Sequence, residues 1–153
     1  MKTIFIIAVA LFVQQINAQD KDIIKSIDTF FEGMHTSDTL KIKSVCADGM
    51  ILQSVSESSK GTKFSTENMS GFYKSIASIP DNVKIQEKLL DYKVQTDGLI
   101  AHAWTPYEFY VNGKLSHSGV NSFQLYKEDG LWKIVYILDT RRDKEVRSRI
   151  QDG

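Results

Sequence analysis

The 153-residue sequence predicts an α+β domain in which a strongly curved antiparallel sheet wraps around helices. Three observations favour this class. Apolar residues recur at helical spacing only in the first half of the chain. Residues 101–142 instead show consecutive strand patterns separated by tight turns. No internal repeat and no long linker divides the chain, so one domain is predicted.

Three amphipathic helices are predicted in the first half. Residues 20–35 carry apolar side chains at spacings of three and four, which form one stripe on a helix. Thr36-Ser37-Asp38 supplies capping residues for a short second helix at 39–45. Ser65 is predicted to cap a third helix over 66–78, whose apolar residues also share one face.

The remaining pattern predicts strands and the turns between them. Residues 50–55 indicate a short strand, and the polar stretch 56–62 is predicted to be a loop. A further strand is predicted over 83–95, where apolar and polar residues alternate in the second half. Thr96-Asp97-Gly98 then turns the chain into a strand at 99–111. Segregated helices followed by neighbouring strands are typical of the α+β class.

Asn112-Gly113 predicts a tight hairpin, because both residues accept the positive φ of a type I′ turn. A two-residue loop pairs Val111 with Lys114 and places Glu108 opposite His117. Side chains alternate with period two, so one face of the hairpin is predicted to carry six residues. These are His102, Trp104, Glu108, His117, Asn121 and Phe123.

The next turn, Glu128-Asp129-Gly130, allows two registers. A two-residue loop puts Arg142 on the face of His117, whereas a three-residue loop puts Asp139 and Arg141 there. We favour the three-residue loop, because it gathers a polar cluster at one end of an apolar face. The register decides which polar side chains meet, since a slip of one residue reverses every side chain.

The N-terminus is typical of a secretory signal peptide. A basic start and an apolar run too short to span a membrane precede small residues, and cleavage is predicted after Ala18. A secreted or periplasmic domain of residues 19–153 would result, with no membrane span in the mature chain. Cys46 is the single cysteine, so no intrachain disulfide is expected, and a buried, unreactive thiol is favoured.

The charge balance argues against nucleic acid as a partner. Without Lys2 the net charge is about one negative, and nucleic-acid binding requires a concentrated basic surface. The basic residues of the tail, 141–149, are interrupted by acidic ones, which favours a solvated terminal helix.

Two segments, TFFEGMHTSDTLKIKSVCADGMIL and SHSGVNSFQLYKEDGLWKIVYILDTRR, resemble the nuclear transport factor 2-like superfamily. More narrowly, they are similar to secreted bacterial members of the SnoaL-like and lumazine-binding-like types. The resemblance implies a cone-shaped curved antiparallel sheet of four to six strands, packed on three helices, with a cavity open at one end. Such cavities serve isomerases, dehydratases, cyclases, binding-only proteins and dimerisation modules, and a homodimer is expected.

His117 and Asp139 are the predicted catalytic residues, if there is catalysis. An imidazole beside the Glu108 carboxylate can be tuned for acid–base work, and a carboxylate after a buried strand can act as a base. The alternatives are an ordinary strand histidine and an ion pair of Asp139 with Arg141 or Arg142.

A second group of residues is predicted to bind a ligand through aromatic surface and polar contacts. Its members are Trp104, Tyr107, Glu108, Asn121, Arg141 and His35. Trp104 could equally belong to the core, Arg141 could fasten the last strand to the first helix, and His35 could interact with the end of its own helix. The three histidines lie far apart in sequence, so no metal site is predicted, and no motif indicates a cofactor.

Three functions remain open from the sequence. The first is a secreted or periplasmic protein that holds a small apolar or aromatic ligand. The second is an isomerase, dehydratase or cyclase in which His117 and Asp139 exchange protons with an enolisable substrate. The third is a dimeric interaction module that has a vestigial cavity. The second function requires the side chains of His117 and Asp139 to point into one cavity, within hydrogen-bonding reach of a common atom.

Overall fold

The computed structural model describes the backbone of residues 2–143 and the side chains of residues 19–143. Three helices and seven strands follow one another along the described part of the chain. The helices are α1 (Lys2–His35), α2 (Thr39–Ser44) and α3 (Met69–Ala77). The strands are β1 (Cys46–Ser58), β2 (Gly61–Thr66), β3 (Ile85–Leu89), β4 (Lys93–Thr96), β5 (Ile100–Val111), β6 (Lys114–Glu128) and β7 (Leu131–Arg142).

The strands form one curved, unclosed sheet in the order β2-β1-β7-β6-β5-β3, and β4 also pairs with β5. The predicted α+β class and the run of neighbouring antiparallel strands are confirmed. One feature was not predicted: β1 lies beside β7 in parallel, whereas every other neighbouring pair is antiparallel. This pairing brings the early strand next to the last one and places the helices against the concave face.

Three predicted elements were wrong in their extent. The polar stretch 56–62 is not a loop, because β1 continues to Ser58 and turns directly into β2. The single strand predicted at 83–95 is two strands, β3 and β4, separated by residues 90–92. Ser65 does not cap the third helix, since it pairs with Ser54 in the sheet; the cap is Asn68.

The core lies between α1 and the concave face of the sheet. Ile23, Ile27 and Phe30 on α1 are at most 2 % exposed. The rings of Phe30 and Phe31 meet the ring of Phe123 on β6 edge-on, at centroid distances of 6.5 and 6.0 Å. Each such apolar side chain stabilises the fold by about 1.5–3 kcal/mol when it is fully buried. This packing fixes α1 across the sheet and closes one end of the space beneath it.

The first hairpin has the predicted turn but not the predicted register. Asn112 and Gly113 have φ values of 48° and 74°, and Val111 pairs with Lys114, so the predicted turn is confirmed. Tyr110 then pairs with Leu115 while Phe109 pairs with His117, which leaves Ser116 as an extra residue in a β-bulge. The slip of one residue reverses β5 relative to the prediction.

The predicted pairing of Glu108 with His117 is therefore wrong, because Glu108 lies opposite Ser118. His102, Trp104 and Glu108 lie on the outer face of the sheet, away from His117. The alternating buried residues of β5 share the concave face with His117, Asn121 and Phe123 instead. They are Ala101, Ala103, Thr105 and Tyr107.

The second turn is also shorter than predicted. Glu128 pairs with Leu131, so the loop consists of Asp129 and Gly130 and not of three residues. Val135 is then unpaired, because Leu125 lies opposite Ile134 and Gln124 lies opposite Tyr136. The shorter loop alone would place Asp139 on the face opposite to the predicted one. The extra residue in this second bulge reverses that change.

The outcome is that Asp139 pairs with Asn121 and belongs to the face that carries His117. Arg141 follows two residues later on the same strand and shares that face. The prediction that these two residues join His117 is thus correct in its result, although the loop that it assumed was wrong.

Parts of the prediction for the two ends of the chain cannot be compared with the structure. The side chains of the predicted signal peptide, residues 1–18, lie outside the described residues, as does the tail beyond residue 143. Arg141 and Arg142 belong to β7 and not to a terminal helix. Among the residues described, no helix has the length and apolar character needed to cross a membrane.

Candidate functional site

A cavity of about 250 Å³ lies under the curved sheet, between its concave face and helices α1 and α3. We call it the sheet cavity. Its lining consists of Met34, Leu52, Glu67, Phe72, Ser75, Ile76, Ile85, Glu87, Tyr107, Phe109, His117, Asp139 and Arg141. About half of these side chains are apolar, and the ionisable ones come from β3, β5, β6, β7 and the segment before α3. The volume is slightly below the roughly 300–1,000 Å³ of ordinary ligand pockets, which suits a small molecule.

Asp139 and Arg141 form an ion pair in the wall of the sheet cavity. Arg141 Nε donates a hydrogen bond to Asp139 Oδ2 at 2.9 Å, and Asp139 is only 7 % exposed. The other carboxylate oxygen, Oδ1, is enclosed and has no hydrogen-bond partner among the described residues. Arg142 is directed elsewhere, since its Nε lies 3.1 Å from Glu57 Oε2. Of the two ion pairs considered from the sequence, the structure contains the one with Arg141.

Glu87 is a site residue that the sequence analysis missed. Its Oε1 accepts a hydrogen bond of 2.7 Å from Asn121 Nδ2, and its backbone N–H donates to His35 Nε2 at 2.8 Å. A signal was available, because Glu87 alternates with Ile85 and Leu89, and all three are less exposed than the residues between them. A carboxylate on the apolar side of an alternating strand indicates a buried acidic group.

The environment of Glu87 changes its ionisation. Burial is the largest effect and raises its pKa from 4.5 to about 7. The hydrogen bond from Asn121 and the positive charge of Arg141 oppose this increase, whereas the negative charge of Asp139 adds to it. Near neutral pH, Glu87 therefore exchanges between its charged and uncharged forms.

His117 is present in the same wall as a neutral ring. It stacks on Phe109 at a centroid distance of 4.8 Å, and its Nδ1 lies 3.2 Å from Ser116 Oγ. Burial lowers its pKa, the charge of Arg141 lowers it further, and the charge of Asp139 acts in the opposite direction. A histidine in this state can accept a proton but does not carry a permanent charge at pH 7.

Tyr107 is buried beside His117, with the two rings edge-on at 5.8 Å. Its hydroxyl donates a hydrogen bond of 2.8 Å to the carbonyl oxygen of Thr140 on β7. Burial raises the pKa of the phenol well above its usual range, with further contributions from the nearby carboxylates. The hydroxyl thus remains protonated and bonded to the sheet.

The structure divides the predicted site residues into three groups. Tyr107, His117, Asp139 and Arg141 line the sheet cavity. Asn121 and His35 support it from behind through their contacts with Glu87. Trp104 and Glu108 lie on the outer face because of the bulge at Ser116, so neither contributes to this cavity.

His35 has a different role from the one considered for it. It ends α1, but its ring reaches the backbone of β3 rather than the last turn of its own helix. Because Nε2 accepts a hydrogen bond there, the ring is uncharged in this arrangement. Burial lowers its pKa, which favours the same form.

Cys46 lies outside the sheet cavity, in a second depression lined also by Tyr73 and Lys43. Burial raises the pKa of its thiol to about 12, with smaller opposing effects of Tyr73 and Lys133. Such a thiol is a poor nucleophile. Among the residues that the structure describes, no group of three or more His, Cys, Asp or Glu side chains is placed to hold a metal ion.

Comparison with known proteins gave structural matches only. No protein-family model matches the sequence, and no curated protein matches it. The chain is similar in structure to a proposed dehydratase of the nuclear transport factor 2-like family from Streptomyces avermitilis, with 18% identity and a TM-score of 0.62. That match covers 82% of this chain and 96% of the other.

Two further structures show the same similarity. One is a proposed scytalone dehydratase from Novosphingobium aromaticivorans, at 9% identity and a TM-score of 0.65, covering 84% of this chain and 87% of that one. The other is a nuclear transport factor 2-like protein of unknown function from Pseudomonas putida, at 11% identity and a TM-score of 0.63, covering 81% and 87%. The extent of these matches agrees with the curved sheet and the three helices described above, and the chain has the nuclear transport factor 2-like fold.

Proposed function

We propose that this protein binds a small, largely apolar molecule in the sheet cavity. The observation that carries the proposal is the composition of the wall. Apolar side chains from α1, α3 and the sheet converge on one space, and the ionisable groups are held at defined positions within it. Apolar concave sites with a few fixed polar groups are the usual form of small-molecule sites.

The apolar part of the wall can supply most of the binding free energy. Met34 comes from α1, Phe72 and Ile76 come from α3, and Leu52 and Phe109 come from the sheet. Removing apolar ligand surface from water contributes about 25 cal/mol per Å². The polar groups then decide which ligand is accepted, because each one must find a partner when the ligand displaces water.

Native mass spectrometry of protein purified from its own host tests the proposal. We expect a bound small molecule, and we expect Ser75→Phe to abolish it because Ser75 lines the sheet cavity and a larger side chain would fill it. Ser70→Phe is the matched control, since Ser70 lies on the same helix and is exposed, as Ser75 is, but does not line the sheet cavity. Equal occupancy of the two variants would contradict binding in the sheet cavity.

A second candidate is an enzyme of the isomerase, dehydratase or cyclase kind. It is favoured by one specific observation: His117 and Asp139 line the same cavity, beside a third ionisable group, Glu87. A neutral His117 could remove a proton from an enolisable substrate, and the Asp139–Arg141 pair would lie next to the charge that develops. Two of the structural neighbours are proposed dehydratases.

Proton exchange distinguishes this candidate from simple binding. An enolisable probe such as acetylacetone can be incubated in D2O, and its deuterium uptake can be followed by NMR. The enzyme candidate predicts uptake faster than in buffer alone, with loss of the acceleration in His117→Gln. Unchanged acceleration in that variant would exclude His117 as the base.

We also propose that residues 1–18 are removed during export and that the mature chain forms a homodimer through the outer face of the sheet. The support for export is the signal-peptide pattern of the sequence. The support for the dimer is the family resemblance together with Trp104 and Ile51, which are 45% and 48% exposed on that face. Mass analysis of the mature N-terminus tests the first, and light scattering of the wild type and Trp104→Lys tests the second.

A further inference from the structure

We propose that the ligand of the sheet cavity is a small organic cation, such as an aromatic or aliphatic amine, whose ammonium group contacts Glu87 while its apolar body lies between Phe72 and Phe109. This inference rests on the binding function proposed above and specifies the class of ligand. It follows from the excess of carboxyl groups over positive charges in the described cavity wall and from the free oxygen of Glu87.

The charges in the wall do not balance. Glu67, Glu87 and Asp139 contribute three carboxyl groups, whereas Arg141 is the one arginine or lysine in the lining. Arg141 is already paired with Asp139 at 2.9 Å. In the described part of the chain, neither Glu67 nor Glu87 takes part in an ion pair. The single charge of Arg141 therefore acts on three carboxyl groups, and the described wall has an excess of acidic groups.

Glu87 is held in a position to receive a cation. Asn121 occupies Oε1, and the hydrogen bond from the Glu87 backbone to His35 fixes the strand at this point. Oε2 has no hydrogen-bond partner among the described residues, and it is not one of the enclosed unpaired atoms, in contrast to Asp139 Oδ1. A ligand in the sheet cavity can therefore reach Oε2.

The other groups around Glu87 agree with a cationic ligand. His117 on β6 is uncharged, because burial and the charge of Arg141 lower its pKa against the opposing effect of Asp139. Tyr107 on β5 keeps its proton and is bonded to Thr140. Neither would repel an ammonium group, and the aromatic faces in the wall attract cations.

An anionic ligand fits this wall poorly. The single guanidinium in the described lining, that of Arg141, already donates its Nε–H to Asp139, whose negative charge offsets its attraction for an anion. The anion would also lie beside the two unpaired glutamates, whose charges would repel it.

Three probes of nearly equal size and shape test the charge preference: benzylamine, benzyl alcohol and benzoate. Their dissociation constants can be measured by NMR titration, with the resonances of Tyr107 and His117 as reporters of the sheet cavity. At pH 8 we expect benzylamine to bind about tenfold more tightly than benzyl alcohol, as one charge pair near the protein surface allows, and benzoate to bind most weakly. At pH 6 the preference should fall several-fold, since Glu87 is then mostly protonated.

Glu87→Gln should reduce the preference for benzylamine to less than twofold and remove its pH dependence, and Glu67→Gln should reduce it in part. Glu128→Gln, at an exposed position, is the control and should retain the tenfold preference. Equal binding of benzylamine and benzyl alcohol, or tighter binding of benzoate, would overturn the cationic class while leaving a small-molecule cavity. If none of the three probes shifts the reporter resonances, the cavity function itself is refuted.

Discussion

Glu87→Gln should stabilise the folded protein at pH 8 and should have a much smaller effect at pH 5. The glutamine retains an amide oxygen that can accept the hydrogen bond from Asn121, so the contact at 2.7 Å can be preserved. What the substitution removes is the negative charge, which the folded state disfavours because of burial and the nearby charge of Asp139. The comparison therefore isolates ionisation from packing.

The sign follows from proton binding. The pKa of Glu87 is about 7 in the folded protein and 4.5 in a solvated chain, so between these values the folded state holds a proton that the unfolded state has released. Stability consequently decreases as pH rises through this window. Each unit of pKa corresponds to about 1.4 kcal/mol, which gives an upper limit of about 3 kcal/mol at pH 8. Partial solvation of this largely buried side chain reduces the expected gain to about 1–2 kcal/mol.

Urea unfolding of the wild type and of Glu87→Gln at pH 5 and pH 8 measures this difference. His35 and His117 titrate in the opposite sense, because their lowered pKa values destabilise the folded state as pH falls below about 6.5. Both proteins share that effect, so it cancels in the comparison. Glu128→Gln should show no pH-dependent gain. An equal change at both pH values, or a loss of stability at pH 8, would refute the assigned environment of Glu87.

Two further predictions concern the backbone and a helix cap. Gly119→Ala should destabilise the protein by about 3 kcal/mol or more in thermal unfolding, because a Cβ would lie 1.7 Å from the Thr140 carbonyl oxygen. Gly71→Ala should instead stabilise the protein by about 0.5–1 kcal/mol, because Gly71 lies in a helix and the nearest atom to its added Cβ is 3.8 Å away. Asn68→Ala should lower the free energy of unfolding by about 1 kcal/mol, because it removes the cap of α3. Ser65→Ala should change that free energy by less than about 0.5 kcal/mol. A larger loss in Ser65→Ala than in Asn68→Ala would identify Ser65 as the cap.

The elements that could be predicted from the sequence are those whose signals are local. The stripe of apolar residues identifies α1, and Asn112-Gly113 identifies the hairpin between β5 and β6. The polar stretch 56–62 was misinterpreted because it forms a hairpin of polar residues, whose first strand pairs on its other side with β7, which is distant in sequence. Sheet pairing of that kind depends on tertiary context more than on composition.

The candidate site was partly predictable for a similar reason. His117, Asp139 and Arg141 were identified, because they follow strong strand patterns in the second half of the chain. Glu87 was missed, since β3 is only five residues long and was merged with β4 into one predicted strand. Trp104 was assigned to the wrong face because the predicted residue pairs of β5 and β6 are correct at the turn but are one residue off beyond the bulge at Ser116.

The two bulges also explain why the polar groups meet. A bulge increases the local twist and bends the strand. The two bulges lie in the hairpin of β6 and β7, at Ser116 on the first strand and at Val135 on the second. The first rotates His117 onto the face of Tyr107, and the second rotates Asp139 onto the face of Asn121. Neither bulge was predicted at its observed position, because each depends on how β6 and β7 pair with their neighbours in the sheet. The bends that form the cavity are thus the same ones that bring its ionisable groups together, so removing a bulge should alter the shape and the chemistry of the site at once.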